Sequence, residues 1–164
     1  MLEITKIPTP SLRQRSAELD PVLILTEEIQ NLIIDMIPTM YQSDGIGLAA
    51  PQVGKNIRLC TIGKEALKVD KKNTLPVEDL VLINPVWQKL SVRKTEDVEG
   101  CLSVPKTFGK VKRYKKIEVI ALDKNGKKIK FEAHDFFARV IQHEVDHLDG
   151  ILFIDKATGI YQVE

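Results

Sequence analysis

At 164 residues and 43% hydrophobic content, the chain is long enough to bury a proper core as one domain spanning 1–164. Its 24 Lys and Arg against 23 Asp and Glu leave a formal charge of +1, without the basic excess of a nucleic-acid-binding module. No apolar run reaches membrane-span length and the N-terminus lacks a signal peptide's apolar core. Two cysteines make no disulfide framework, so a reducing compartment is expected, with either thiol free to act as a thiolate.

In chain order, residues 1–10 read as an extended, proline-punctuated lead-in and Ser11 to Leu19 as a short helix. Thr26 is a good N-cap, followed by Glu27 and Glu28, where acids favour the helix dipole. Leu32, Ile33, Met36, Ile37 and Met40 recur at helical spacing as core filler, and Pro38 predicts a kink or a final irregular turn. In Gly45-Ile46-Gly47-Leu48-Ala49-Ala50-Pro51-Gln52, small residues let another backbone approach closely. The glycine spacing fits neither a P-loop nor a dinucleotide fingerprint, and alone the run reads as a tight loop between helix and strand. Ile57 to Ile62 reads as a strand with Cys60 packed as a small hydrophobe. Lys64 to Glu78 reads as a surface loop, Leu80 to Ile83 as a strand ended by Asn84-Pro85, and Val86 to Val92 as another strand.

Glu99-Gly100-Cys101-Leu102-Ser103 holds a cysteine that is either an ordinary buried thiol or a metal-binding thiolate. The lysine runs at 71–72, 110–116 and 127–130 read as solvated faces. Ile117, Val119 and Ala121, then Asn125-Gly126, then Ile129, Phe131 and Ala133 give a β-hairpin with a type I′ turn signal. Ile151 to Ile154 reads as a last short strand.

The hairpin leads into Gln142-His143-Glu144-Val145-Asp146-His147-Leu148-Asp149-Gly150, which contains the H-E-x-x-H pattern. On a helix, residues i and i+4 lie nearly one above the other, so His143 and His147 can reach one metal ion. Glu144, roughly 100° around, still flanks that face and can take and return a proton of an activated water. Phe136, Phe137, Val140, Ile141 and Leu148 share the histidines' side, whereas Arg139, Gln142, Asp146 and Asp149 fall on the other. Asp135 is the expected N-cap and Gly150 the expected stop. Two ligands do not close a metal site. The downstream positions that serve metalloproteases hold Phe153 and, near the far position, only Glu164. The third ligand must therefore lie upstream, among His134, Cys60 and Cys101.

In this order and spacing the three islands resemble the three motifs of peptide deformylases, over about Thr26 to Asp155. The resemblance implies a metal-dependent hydrolase that removes the formyl group from the formylmethionine of newly made proteins, releasing formate. It implies Cys101, His143 and His147 as metal ligands, Glu144 as general acid/base, and Gln52 as oxyanion donor beside the backbone N–H of Leu102. Ile46, Gly47 and Gly100 would hold the substrate backbone as a strand adds to a sheet edge. Phe136 and Val140 would line the methionine pocket, and Glu99 with Arg113 would brace the cysteine loop. The implied fold is α+β, with antiparallel or mixed sheets packed around a central metal-binding helix and an N-terminal helical segment.

The implied cofactor is one divalent metal, Fe2+ in the cell, with Zn2+ or Ni2+ acquired in purified protein. The implied partner is the N-formylmethionyl nascent polypeptide, with transient ribosome proximity and neither direct nucleic-acid nor membrane contact. The setting is a bacterial-type cytoplasm, or an organelle for a mature organellar form. Two departures stand out. Some relatives carry an arginine where this chain has Phe108, at the contact to the substrate's second side chain. Many bacterial members continue into a longer C-terminal helix used in ribosome contact, where this chain has Lys156 to Glu164. A zinc endopeptidase is disfavoured by the missing downstream ligand, and a purely structural metal module has no need of Glu144 or Gln52.

Overall fold

A computed structural model describes residues 1–164. Helix α1 spans Glu27–Gln42, and the Thr26 side chain caps it by accepting from the Ile29 N–H. Leu32, Ile33, Met36 and Met40 are buried, as their spacing predicts. Pro38 lies inside the helix, which runs on for another turn. The ring sits on the exposed side, where the carbonyl it leaves without a partner faces water.

Eight strands form two antiparallel sheets. The larger has the order β1-β2-β3-β6-β7, from Gly47–Ala49, Leu59–Ile62, Leu80–Lys89, Lys116–Leu122 and Lys128–His134. The smaller has the order β4-β5-β8, from Lys94–Cys101, Val104–Tyr114 and Thr158–Gln162. Sequence pattern explains which strands are covered on both faces. β2 is buried at every position and is apolar but for Thr61, whereas β6 alternates buried and half-buried residues. Leu48, Leu59, Val81 and Ile83 pack on α1 from one face. Ala49, Cys60, Ile62 and Leu82 face the other way, against helix α3 (Asp135–Leu148). Phe137 of α3 is fully buried and stacks on Phe131 of β7 at 5.8 Å between ring centroids. A side chain so buried contributes about 1.5–3 kcal/mol. The small sheet lies against α3 through β5, so the helix has protein on nearly every side.

Several local expectations are corrected. Ser11 to Leu19 is not a helix; a 3-10 turn covers Pro10–Arg13, and Ala17 then bridges to Ile57. Leu80–Lys89 is one strand, not two, because Asn84 at φ +50 makes a bulge in place of a break. Its side-chain amide holds both backbone groups of Leu19. The Lys64 to Glu78 segment is more than a surface loop: α2 (Lys64–Lys68) buries Ala66 and Leu67, and Asp70 is buried too. The β6–β7 turn is not type I′, since only Gly126 has positive φ. Gly126 N–H donates to Asp123 O and Asp123 N–H to Lys127 O, a type I turn followed by a glycine bulge. Ile151 to Ile154 is not a strand; a 3-10 turn forms at Phe153–Asp155 and the last strand is β8.

Gly150 ends α3 with φ +77, as its position predicts, and a Cβ there would run into the backbone carbonyl of Arg13. Neither problem is relieved by moving a side chain. Gly150→Ala should cost about 2 kcal/mol or more, lowering the melting temperature by roughly 4–8 °C for a chain of this size. Thermal unfolding followed by circular dichroism checks this.

Candidate metal centre

Helix α3 delivers His143, Glu144 and His147 to the space between the sheets. Its N-cap is His134, not Asp135, which is the first helical residue at φ +52 and makes no side-chain cap. Buried Asp70 fixes this end by accepting from the His134 N–H at 3.0 Å and approaching its Nδ1 at 3.1 Å. At the other end, buried Arg58 donates to the Leu148 carbonyl and to Asp149, each at 2.9 Å, a cation placed where the helix dipole favours it.

Of the three upstream ligand candidates, the fold brings Cys101 to the histidines. Ligand atoms of Cys101, His143 and His147 all lie within 4.8 Å of one another, with Cys101 Sγ 3.3 Å from His147 Nε2. His143 Nδ1 contacts Glu99 Oε1 at 2.9 Å, which leaves Nε2 for the centre. His134 is engaged with Asp70, and Cys60 is fully buried in the main core, where burial pushes its thiol well up. A thiolate and two imidazoles at this separation suit a divalent metal with one position left open. Burial, then His143, holds His147 well below the ordinary imidazole value, so it is a neutral donor. Burial opposes charge on His143, but Cys101 and Glu99 outweigh it and raise its pKa. A bound cation reverses that balance, because proton and metal compete for the same nitrogen.

Glu144 is 4% exposed and its Oε1 has no hydrogen-bond partner. Burial pushes its carboxyl up to about 7. Gly47 on β1 faces it so closely that a Cβ would lie 2.5 Å from Oε2. Gln52 sits on a 3-10 turn at Ala50–Val53, its Oε1 accepting from the Ala49 N–H at 3.0 Å. The amide Nε2 then points at Cys101 Sγ (3.5 Å) and Ser103 Oγ (3.1 Å). Leu102 lies in the turn joining β4 to β5. These groups, with Ile46 and Gly100, line a cavity of 1280 Å3 that also takes in Phe136 and Val140. His147 is buried and does not line it. Phe136 is 44% exposed, at the mouth, while Val140 is buried.

The polar side of α3 departs from expectation. Arg139, Gln142 and Asp146 are buried, not solvated, because the small sheet covers them. Arg113 of β5 donates to both Glu99 oxygens at 2.8 and 2.9 Å and to Asp146 at 2.6 Å. Arg139 adds a bond to Glu99 at 2.6 Å, and Lys156 reaches Asp146 at 3.0 Å. Gln142 exchanges two bonds with the Tyr114 backbone. Sequence reading missed Arg58, Asp70, Arg139 and Asp146. The available signal was a polar stripe at 139, 142 and 146, charged at Arg139 and Asp146, matched by Glu99 and Arg113 on strands.

A Cys/His/His centre on an H-E-x-x-H helix, clasped between two antiparallel sheets, defines a small metal-dependent hydrolase. The family model described as polypeptide deformylase matches residues 1–162. A peptide deformylase of Symbiobacterium thermophilum is 42% identical over 163 residues, covering 99% of this chain and 70% of that one. The crystal structure of the Thermotoga maritima peptide deformylase superposes with a TM-score of 0.84 at 34% identity, covering 96% of this chain and 98% of that one. A Met-Ala-Ser-bound peptide deformylase from Acinetobacter baumannii gives 0.85 at 30% identity, covering 95% and 98%. The chain belongs to the polypeptide deformylase family, whose activity is removal of the formyl group from N-terminal methionine.

Burial alone would raise the Glu99 pKa, but Arg113 and His143 hold the carboxyl well below its ordinary 4.5. A carboxylate depressed in the folded state contributes stability that is complete above the unfolded value and lost as pH falls through the folded one. With metal removed by a chelator, wild-type stability should therefore fall steeply below about pH 4.5, and Glu99→Gln should be less stable at pH 7 but flatter in acid. Urea unfolding between pH 3 and 7 measures both slopes.

Proposed function

We propose that residues 1–164 form one catalytic unit that deformylates nascent proteins, with Cys101, His143 and His147 holding one divalent metal. The carrying observation is a buried Glu144 carboxylate beside that ligand cluster, in a cleft between two unpaired strand edges. β1 and β4 each pair on one side only. An extended peptide laid between them finds backbone partners at Ile46 and Gly47 on one side and Gly100 on the other. Its methionine side chain enters between Phe136 and Val140, and its formyl group comes to lie beside Glu144. The Acinetobacter relative bound to Met-Ala-Ser supports a peptide that begins with methionine as the ligand.

When bound, the metal supplies a Lewis acid that makes water nucleophilic at neutral pH and polarises the formyl oxygen. Glu144 accepts the proton of the attacking water and passes it to the leaving amine. A carboxyl raised toward 7 by burial suits a group that must both take and give a proton. Gln52 Nε2 and the Leu102 N–H donate to the formyl oxygen as charge develops there, each contributing about 3 kcal/mol. Formate departs, leaving a free methionine amine.

Ferrous iron is the metal we assign in the cell, on the resemblance to deformylases, with zinc or nickel taken up during purification in air. Affinity alone favours zinc at a thiolate–imidazole site, but affinity does not decide which metal works best, because availability in the cell also matters. The place of action is the bacterial-type cytoplasm, near ribosomes where new N-termini emerge. No helix is long and apolar enough to cross a membrane.

Glu144→Ala should retain full metal content and lose about 10²–10⁴-fold in turnover, because it removes the proton carrier and no ligand. Formate release from formyl-Met-Ala-Ser, with acetyl-Met-Ala-Ser as control and metal content measured in parallel, tests this; near-native turnover would remove Glu144 from the mechanism. Protein purified anaerobically with iron should turn over faster per occupied site than the zinc form. Equal or greater activity with zinc would overturn the iron assignment and leave the ligand set standing.

A further inference from the structure

Residues Glu3 to Lys6 line the cleft alongside Gln52 and Leu102, although none of the three motifs includes them. This segment is held at both ends. On one side the Leu2 N–H donates to the buried Thr39 hydroxyl of α1 at 3.0 Å, and Leu2 and Ile4 pack on the α1 core. On the other, Leu12 is buried in the Pro10–Arg13 turn. Between these anchors the Thr5 N–H donates to the Gln52 carbonyl at 2.7 Å and the Ile7 N–H to the Ser103 carbonyl at 2.9 Å.

Gln52 and Ser103 come from different sheets. Gln52 follows β1 of the larger sheet, and Ser103 sits in the β4–β5 turn of the smaller one. The Gln52 side chain is itself pinned: Oε1 accepts from the Ala49 N–H, and Nε2 donates to Ser103 Oγ at 3.1 Å. An amide nitrogen carries two hydrogens, so one remains for the cleft. We propose that Thr5 and Ile7 are positioning residues whose main-chain N–H groups strap these two loops together, and so fix the Gln52 amide relative to the Leu102 N–H. This rests on the deformylase reading, in which both groups donate to the formyl oxygen. A donor aimed at developing charge loses its value when its distance or angle drifts, and a misplacement of about 1 Å costs up to about 100-fold in rate. The strap bonds to Gln52 and Ser103 and not to the strand edges at Gly47 and Gly100, so its loss appears in kcat and not in KM.

The test exchanges one main-chain N–H for oxygen, with the corresponding α-hydroxy acid in place of Thr5 or of Ile7, which removes a donor and keeps the side chain. The same exchange at Thr26, whose N–H donates to the Leu23 carbonyl at 3.1 Å outside the cleft, is the control. With metal-loaded protein and formyl-Met-Ala-Ser, the exchange at Thr5 or Ile7 should lower kcat about tenfold and leave KM within about twofold. The Thr26 exchange should alter neither. In a Gln52→Ala background the Thr5 exchange should cost less than about threefold, because the group it positions is gone. General loosening of the fold would cost the same factor in both backgrounds. In 15N-labelled protein the Gln52 side-chain amide resonance, assigned by its loss in Gln52→Ala, should shift or broaden on the Thr5 exchange. If that exchange prevents folding, judged by circular dichroism, the Ile7 exchange carries the test through kcat and the same resonance. Unchanged kcat, a loss confined to KM, or equal losses with and without Gln52 would overturn the proposal. Absence of formate from native metal-loaded protein would overturn the deformylase reading and the strap with it, whereas native turnover indifferent to both exchanges overturns the strap alone.

Discussion

One carboxylate ties the catalytic helix to the rest of the chain. Glu99 receives Arg113 on both oxygens, Arg139 on one and His143 on the other. A buried carboxylate is costly unless its lone pairs are satisfied, and here two guanidiniums and an imidazole satisfy them. Such a group specifies geometry more than it adds net stability, because an apolar replacement would avoid the desolvation altogether. The geometry it specifies is the ring orientation of His143. A hydrogen bond to Nδ1 directs Nε2 toward the ligand cluster and raises its basicity, the usual role of a carboxylate behind a ligating histidine. Glu99 also sits three residues before Leu102 and two before Cys101, so the same contact places the third member of the cluster.

That arrangement explains why the sequence was informative about the Cys101, His143 and His147 cluster and misleading about the helix. Periodicity distinguishes apolar from polar residues, and α3 does divide that way around its axis. It does not distinguish a polar side facing water from one facing buried partners. Arg139 and Asp146 look like solvated charges until the outer sheet supplies Glu99, Arg113 and Lys156. Their partners lie tens of residues away in sequence, so no local pattern reveals them. The same limit applied to Asp70, whose surroundings read as a polar excursion although it pins the start of α3. Where the determinants were local, as at the Thr26 cap, the β2 apolar run and Gly150, residue type alone carried the information. The β3 strand fell between these cases: Asn84-Pro85 resembles a stop, yet Asn tolerates positive φ well enough to make a bulge.

Gly47 shows how close packing shapes the setting of Glu144. Its missing side chain does two things at once. It leaves strand edge accessible to a peptide, and it gives the Glu144 carboxylate a place to lie against backbone. A larger residue would have to displace the carboxylate from its place against the β1 backbone. The glycine-rich run therefore belongs to the chemistry as much as to chain reversal, although its spacing alone suggested only a tight loop.

The two open strand edges complete the physical picture. An unpaired edge is a liability, because any extended chain can pair with it. β1 limits the exposure by being three residues long. β4 is longer, but its outer part carries exposed Lys94, Glu96 and Asp97, charges that discourage pairing with another apolar strand. Those protections are absent at Ile46-Gly47 and at Val98 and Gly100, small or apolar residues that line the cavity, while Glu99 between them turns inward to Arg113. On the proposed reading, a segment that pairs there lies extended between the two edges, with its end at the Cys101, His143 and His147 cluster. A free chain terminus meets that requirement and a folded strand does not. On that reading the architecture favours chain ends before any side chain is read, which is the selection an enzyme acting on new N-termini needs.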